Sequence, residues 1–187
     1  MKKIHYTLFL FFLAFKIFSQ DVKLEIITKK NDTIKEYGLK SNYNFENSMV
    51  LDLQEKLVVF NEKGIKKEFS PSEVKSFSFT NDEKLVEFIN LEDRLFGLLK
   101  YSNRLKLLKV IKPGYTSVNI YVIVRPNNGK ISYMEAMGLG RLISKKVITR
   151  EITDCPSILE KVENKVLKIN GELGVIELIK DYESSCF

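Results

Sequence analysis

Histidine and tryptophan are almost missing from this sequence. Its 187 residues include one histidine, His5, and no tryptophan. Histidine is the usual general base near neutral pH and the commonest protein ligand for metals. His5 lies inside an N-terminal segment that we predict to be cleaved. The rest of the chain can then form no Ser-His-Asp or Cys-His arrangement and no His-ligated zinc site. We therefore expect no catalytic site of these classes, no metal and no cofactor.

The N-terminal segment has the pattern of a secretory signal peptide. Two lysines precede an apolar run from Tyr6 to Phe18, and the small or polar residues Ser19 and Gln20 follow it. A helix that spans a membrane needs roughly 20 apolar residues, so a retained anchor is the weaker interpretation. We predict that residues 1–20 are a signal peptide and that no transmembrane anchor remains after cleavage. The mature protein is then exported, and it is periplasmic, associated with the outer membrane or secreted.

The region from residue 21 to residue 136 is rich in short alternating runs separated by turn residues. The clearest alternation places valine or isoleucine at every second position from Val118 to Val124, with Asn119, Tyr121 and Arg125 opposite. Asn61 to Gly64 is typical of a hairpin turn, because its glycine supplies the positive φ that a tight turn needs. Residues 43–48 indicate a polar loop. About eight to ten such strands predict an antiparallel sandwich or barrel.

The periodicity becomes helical in residues 137–187. A first helix is predicted from apolar residues with helical spacing, namely Leu139, Leu142, Ile143 and Val147. Asp154-Cys155-Pro156 predicts the start of a second helix, with a capping carboxylate and proline in the first turn. We expect that helix to end at Asn170-Gly171. A last helix is marked by Val175, Leu178, Ile179 and Tyr182. Strands followed by helices predict an α+β fold, with a helical C-terminal unit after the β unit.

Cysteine is scarce, and the two cysteines are placed to form a disulfide. Cys155 lies at the start of one predicted helix, and Cys186 lies just beyond the end of the next. Antiparallel helices bring two such positions within the roughly 5.5–6 Å Cα separation of a disulfide. Export leads to a compartment where disulfides persist. We predict a Cys155–Cys186 bond; the alternative is a pair of separate thiols.

Basic residues are concentrated in the middle of the chain. Residues 94–150 contain 12 basic side chains and one acid, Glu135, whereas the segments on either side each carry an excess of acids. A basic tract can attract an anionic partner. After export that partner is an anionic envelope component or an acidic protein, and nucleic acid is not expected. The candidate binding residues are Arg94, Lys100, Arg104, Lys106, Lys109 and Lys112. The alternative is that the flanking acidic segments fold against the tract and neutralise it.

Several segments resemble small exported proteins of unknown function from the Bacteroidota. They are the runs Phe60–Gly64 and Pro71–Phe77, the Asp154-Cys155-Pro156 motif with a cysteine near the C-terminal end, and the signal that closes on Ser19-Gln20. The resemblance implies an envelope or secreted location and brings no activity or site residues with it. Asp32-Thr33-Ile34 also resembles the acceptor pattern for O-linked sugars in exported proteins of that phylum, which makes Thr33 a candidate glycosylation site.

These observations favour a non-catalytic exported protein that binds an anionic partner through residues 94–150. One alternative is a hydrolase that uses carboxylates alone, for which Glu87, Glu92, Asp93 and Glu135 are candidates. The other alternative is a structural or accessory subunit of an envelope assembly.

Export gives the first testable prediction. Because Ser19 and Gln20 follow the apolar run directly, the mature N-terminus should be Gln20 or Asp21. N-terminal sequencing of the protein purified from an envelope or culture fraction measures this. A chain from that fraction that still begins at Met1 would contradict cleavage.

Overall fold

The computed structural model describes residues 22–40, 42–115, 117–127, 129–137, 142–164 and 169–187. The predicted signal peptide lies outside these residues, as do Leu139 of the predicted first helix and Arg141 of the basic tract. The strands are β1 (Val22–Thr28), β2 (Thr33–Ile34), β3 (Tyr37–Leu39), β4 (Leu57–Asn61), β5 (Lys66–Phe69), β6 (Val74–Asn81), β7 (Lys84–Leu91), β8 (Leu95–Ser102), β9 (Lys106–Lys112), β10 (Val118–Val124) and β11 (Ile131–Ala136). The helices are α1 (Glu46–Leu53), α2 (Lys145–Glu151), α3 (Pro156–Glu163) and α4 (Gly171–Cys186).

The described strands form one open antiparallel sheet. Its order is β11-β10-β9-β8-β7-β6-β1-β3-β4-β5, with β2 paired to β1. From β6 to β11 each strand pairs with the next one in the chain, so this half is a series of hairpins. The predicted α+β class, with an antiparallel sheet and a C-terminal helix, is confirmed. The sheet does not close into a barrel.

Helices cover one face of this sheet, which we call the helix face. Helix α1 packs Met49, Val50 and Leu53 with the aromatic side chains of β6 to β8 into one buried core. Phe77 stacks on Phe88 there, with ring centroids 5.0 Å apart. Helices α2, α3 and α4 pack against β9 to β11 and form a second core. Burial of these apolar side chains is the main stabilising contribution to the fold.

The helix face of β10 is the one that carries its polar residues. Asn119, Tyr121 and Arg125 are buried, with Tyr121 in the core beneath the C-terminal helices. The valines and isoleucine on the other side of the strand are less buried at Val118, Ile120 and Val124. The predicted alternation is therefore present, but hydrophobicity alone would assign the wrong face to the helices.

The opposite face, which we call the open face, curls around a third and smaller core. Leu91, Leu108, Val110 and Val122 are almost completely buried in it. In a flat sheet three strand spacings, roughly 14 Å, would separate β8 from β11. Nevertheless the Tyr133 hydroxyl of β11 donates to Glu92, in the turn that precedes β8, at 2.6 Å. The sheet is therefore concave on its open face, with the third core inside the curve.

The predicted polar loop and the first C-terminal helix both differ from the structure. Residues 46–53, which overlap the predicted polar loop, form α1 because Met49, Val50 and Leu53 are buried by the sheet. The first C-terminal helix begins at Lys145, where the Ser144 side chain accepts a hydrogen bond from the Val147 N–H. None of the described helices combines the length and apolar character that crossing a membrane requires.

The last two helices follow the sequence more closely. Helix α3 begins at Pro156 as predicted, although Cys155 and not Asp154 occupies the N-cap position. The four apolar positions of the last predicted helix are all buried in α4. Asn170-Gly171 begins α4, whereas the sequence predicted that this pair ends a helix.

The predicted disulfide between Cys155 and Cys186 is confirmed. The two Cα atoms are 5.8 Å apart, and the bond joins residues separated by 31 positions. It connects the residue before α3 to the last residue of α4. The start of one helix is therefore fixed to the end of the other.

The bond should make a large contribution to stability. In the chain-entropy model, closing a loop of this length stabilises a fold by roughly 3–4 kcal/mol. We expect the double variant Cys155→Ala, Cys186→Ala to lose about that free energy of unfolding in urea. Reduction of the wild-type protein is the matched control and should give the same loss. Two alkylatable thiols in the folded, never-reduced protein would contradict the bond.

Candidate functional site

The six basic residues predicted to bind an anion do not lie together. Lys100 and Lys109 project from β8 and β9 toward acidic residues of the helices, while Arg94, Arg104, Lys106 and Lys112 are exposed. Leu98 pairs with Lys109, and Ser102 pairs with Lys106. This register places Arg104 and Lys106 at one end of the β8–β9 hairpin, and Arg94 and Lys112 toward the other.

Lys100 and Lys109 form an ion-pair cluster with two glutamates. The Lys100 ammonium lies 2.8 Å from Glu46 and 2.6 Å from Glu172. The Lys109 ammonium lies 2.6 Å from Glu46 and 3.6 Å from Glu172. The Lys109 side chain is only 4% exposed, so its charge depends on these partners. Each glutamate lies in the first turn of its helix, where the helix dipole favours a negative charge.

The electrostatics of this cluster suit structure and not acid–base chemistry. Burial opposes ionisation of Glu46, but hydrogen bonds and attraction from the two lysines outweigh it, so the Glu46 pKa is lowered. Burial likewise opposes the charge of Lys100, and its glutamate partners outweigh that effect and raise the Lys100 pKa. A general acid or base works best with a pKa near the operating pH. These shifts move both pKa values further from neutral pH.

Glu183 of α4 holds the turn between β8 and β9. One carboxylate oxygen accepts hydrogen bonds from the Tyr101 hydroxyl at 2.5 Å and from the Asn103 amide at 3.0 Å. The other accepts from the Leu105 N–H at 2.8 Å. Arg104, at the tip of the same turn, donates to the main-chain oxygen of Phe187. The end of α4 thus fixes the position from which Arg104 projects.

Arg125, at the end of β10, is buried and fully engaged. Its Nε donates to the Tyr182 hydroxyl at 2.8 Å and to Asp154 at 3.2 Å. Its two Nη atoms donate to the Ser132 hydroxyl and to Asp154, and also to the main-chain oxygens of residues 130 and 151. Five N–H donors are all that a guanidinium has. Arg125 is paired with the Asp154 carboxylate and has no donor left for a ligand.

A cavity of about 460 Å³ lies where the β8–β9 and β10–β11 turns meet, and we call it the basin. It is lined by Arg104, Lys106, Val124, Arg125, Pro126, Asn127, Gly129 and Ile131. Among the described residues, none makes a hydrogen bond or an ion pair with the Lys106 ammonium. The basin therefore combines Lys106, which is exposed and unpaired among the described residues, with the exposed Arg104 and with Arg125, whose charge is paired with Asp154. It is the candidate functional site.

A second cavity, of about 280 Å³, lies between α1, β3 and β4. It is lined in part by Tyr43 and Asp52, and the Lys40 ammonium at its rim lies 4.3 Å from the Phe60 ring centroid. Burial, and then the charge of Asp52, raises the Tyr43 pKa to about 12. The phenol is therefore protonated at neutral pH and cannot act there as a base.

Two of the carboxylates named for a hydrolase are engaged by other side chains. Glu92 accepts the hydrogen bond from Tyr133, and Asp93 forms an ion pair with Lys29 at 2.5 Å. Glu87 lies on β7 and Glu135 on β11. The hydrolase alternative stays a prediction.

Thr33, the candidate glycosylation site, is exposed at the start of β2. A sugar acceptor must be accessible, and Thr33 meets that requirement. Its modification stays a prediction.

Sequence reasoning missed the acidic residues that organise the site. Glu46, Glu172 and Glu183 were counted only in the charge of the flanking segments. Glu183 carries one detectable signal, because it lies four positions after Ile179 on the buried side of α4. A carboxylate within a helix's apolar stripe indicates a buried hydrogen-bonded acid. Glu46 and Glu172 carry no comparable signal.

The lowered Glu46 pKa gives a prediction about acid stability. The folded state binds fewer protons at Glu46 than the unfolded state. This contribution is therefore complete above the ordinary glutamate pKa of about 4.3 and is lost as the pH falls through the folded value. Because the side chain is 38% exposed, we expect Glu46→Gln to cost only about 1 kcal/mol at pH 7 after screening. That difference should shrink toward zero near pH 3.

The matched control is Glu55→Gln, an exposed carboxylate close to the end of α1 with no ion-pair partner among the described residues. It should match the wild type at both pH values. Urea unfolding from pH 7 to pH 3 measures all three proteins. A Glu46→Gln deficit that is the same at every pH would show that the ion pair is not its cause.

Comparisons of the chain with protein-family models, with curated proteins and with solved structures returned no match. The resemblance to small exported proteins of the Bacteroidota therefore stays a prediction.

Proposed function

We propose that this chain is a non-catalytic exported protein that binds an anionic group in the basin, through Lys106 and Arg104. The observation that supports the proposal is the environment of Lys106. It is an exposed cation without a partner among the described residues, and it borders a 460 Å³ cavity beside a second exposed cation. Small-molecule sites in proteins have volumes of roughly 300–1,000 Å³.

Under this proposal the anion contacts only one end of the β8–β9 hairpin and not the whole basic tract. Lys100 and Lys109 are neutralised by Glu46 and Glu172, so they cannot serve a partner without breaking buried ion pairs. Arg94 and Lys112 lie toward the opposite end of the hairpin and do not line the basin. Two neighbouring exposed cations can bind one anionic group, such as a phosphate or a carboxylate. We infer that an anionic envelope component presents it, and an acidic protein is the alternative partner.

Export is part of the proposal. Disulfides persist in secreted and periplasmic proteins and are rare in the cytosol of mesophiles. The Cys155–Cys186 bond is compatible with an exported protein. We place the protein in the periplasm, at the outer membrane or outside the cell.

A second candidate function is that of an accessory subunit. Met137 and Leu142 pair through a backbone bridge, and Leu142 also pairs with Asn170, close to Leu173. The three apolar side chains are 64%, 49% and 76% exposed, respectively. Exposed apolar residues that lie together are typical of contacts with another protein. Concentration-dependent association that Leu173→Ser abolishes would support this candidate.

The anion proposal predicts a difference between two lysines of one strand. Lys106 and Lys112 are the first and last residues of β9, and both are exposed. Lys106→Glu should weaken binding of inorganic phosphate by about tenfold or more, because it removes a charged hydrogen-bond donor and adds repulsion. Lys112→Glu is the matched control and should stay within about twofold of the wild type. Chemical-shift titration by NMR measures both affinities.

Binding should also weaken as salt rises, since exposed charges are screened over roughly 8 Å at physiological ionic strength. Equal losses in the two variants would contradict a localised site. Undetectable binding of phosphate and of an isolated envelope fraction by the wild-type protein would remove the proposal.

A further inference from the structure

We propose that the anion bound in the basin is amphiphilic, with a phosphate or carboxylate head and a short alkyl or acyl chain. The head contacts Lys106 and Arg104, and the chain lies along Val124 and Ile131. This inference rests on the proposed function, because it uses the same two cations for the head.

The walls of the basin are the first observation. Beside its cations the cavity is lined by the apolar residues Val124, Pro126 and Ile131. No aromatic side chain is among the described residues that line it. A sugar ring would therefore find no stacking platform there. A bare phosphate would leave the apolar wall in contact with water.

The continuity of this wall with the third core is the second observation. Val124 pairs with Ile131, and both are partly buried residues packed against the core of Leu108, Val110 and Val122. The open face is concave, as the Tyr133–Glu92 hydrogen bond requires. The apolar wall of the basin therefore adjoins the third core, whose own side chains are already buried. An alkyl chain that lies on Val124 and Ile131 would leave water, which is favourable in proportion to the apolar area removed.

The placement of charge is the third observation. Lys106 begins β9 and is exposed, whereas the next five residues of the strand are buried. Arg104 projects from the turn just before it, and Arg125 has no donor left for a ligand. Lys106 and Arg104 therefore lie beside the apolar wall of the basin, and the exposed Lys112 lies at the other end of β9. An amphiphile would place its head at Lys106 and Arg104 and its alkyl chain along Val124 and Ile131.

The test compares inorganic phosphate, butyl phosphate and octyl phosphate as ligands of the mature protein. Each buried methylene should tighten binding by about fourfold. We expect octyl phosphate to bind at least tenfold more tightly than inorganic phosphate, and butyl phosphate to lie between them. Calorimetric titration measures the three affinities. Equal affinities for the three ligands would overturn the inference and leave an anion site intact.

Two isosteric variants of β10 test where the alkyl chain of the ligand lies. Val124 and Val118 are the last and first residues of the strand, both are partly buried on the open face, and only Val124 lines the basin. Val124→Thr should reduce the affinity ratio of octyl phosphate to inorganic phosphate by at least threefold. Val118→Thr should leave that ratio unchanged. A ratio that changes equally in both variants would overturn the placement, and urea unfolding checks that both are folded.

Failure of the inference and failure of the proposed function give different results. If Lys106→Glu weakens binding of all three ligands and alkyl chain length does not affect affinity, the amphiphile inference is wrong and the anion site is supported. If chain length matters but Lys106→Glu has no effect, the head is not bound in the basin and both proposals fall.

A further measurement distinguishes a membrane lipid from a free amphiphile as the source of the ligand. Co-sedimentation with phosphatidic acid vesicles, reversed by octyl phosphate, would assign the amphiphile to a membrane lipid. Octyl phosphate binding without co-sedimentation would assign it to a free amphiphile. Both results support the amphiphilic ligand.

Discussion

The ion-pair cluster of Lys100 and Lys109 with Glu46 and Glu172 is the constraint on which the rest of the structure depends. Two lysines on neighbouring strands lie under the helices, and burying an unpaired charge is far more costly than burying a paired one. Helices α1 and α4 must therefore both begin over the β8–β9 hairpin. This requirement ties together the two apolar cores of the helix face, which are otherwise formed by different helices.

The same cluster sets the geometry of the basin from a distance. Helix α4 has 16 residues, so its two ends lie roughly 24 Å apart. Its first turn is held by the lysines through Glu172, and its last turn by Glu183, by Tyr182 and by the disulfide. A helix fixed at both ends positions the β8–β9 turn, and with it Arg104 and Lys106. Arg104 and Lys106 can remain exposed because other residues position the turn that carries them.

Local patterns predicted most strands, the last two helices and the disulfide, because alternation, proline placement and cysteine spacing act within a few residues. Helix α1 was missed because the residues that stabilise it, Met49, Val50 and Leu53 among them, do so by contact with distant strands. Asn170-Gly171 was assigned to the wrong end of a helix, since both residue types occur at N-caps and after C-termini. The candidate site was harder to predict from the sequence than the fold. Leu105 and Glu183 are separated by 78 positions, and no local pattern reports such a pairing.

The net charge of each segment could be interpreted only after the ion pairs between the segments were known. The excess of acids on either side of the basic tract neutralises part of it, through Glu46, Glu172, Asp154 and Glu151. The lysines at the two ends of β9 are not among these pairs, and they have a competing explanation as solvated charges at the ends of a buried strand. In that role the two lysines would be equivalent. They are not equivalent with respect to the basin, because Lys106 lines it and Lys112 does not, and the apolar wall of the basin adjoins the third core. Solubility alone would explain two exposed lysines at the ends of β9, but it does not explain why one of them lines a cavity with apolar walls.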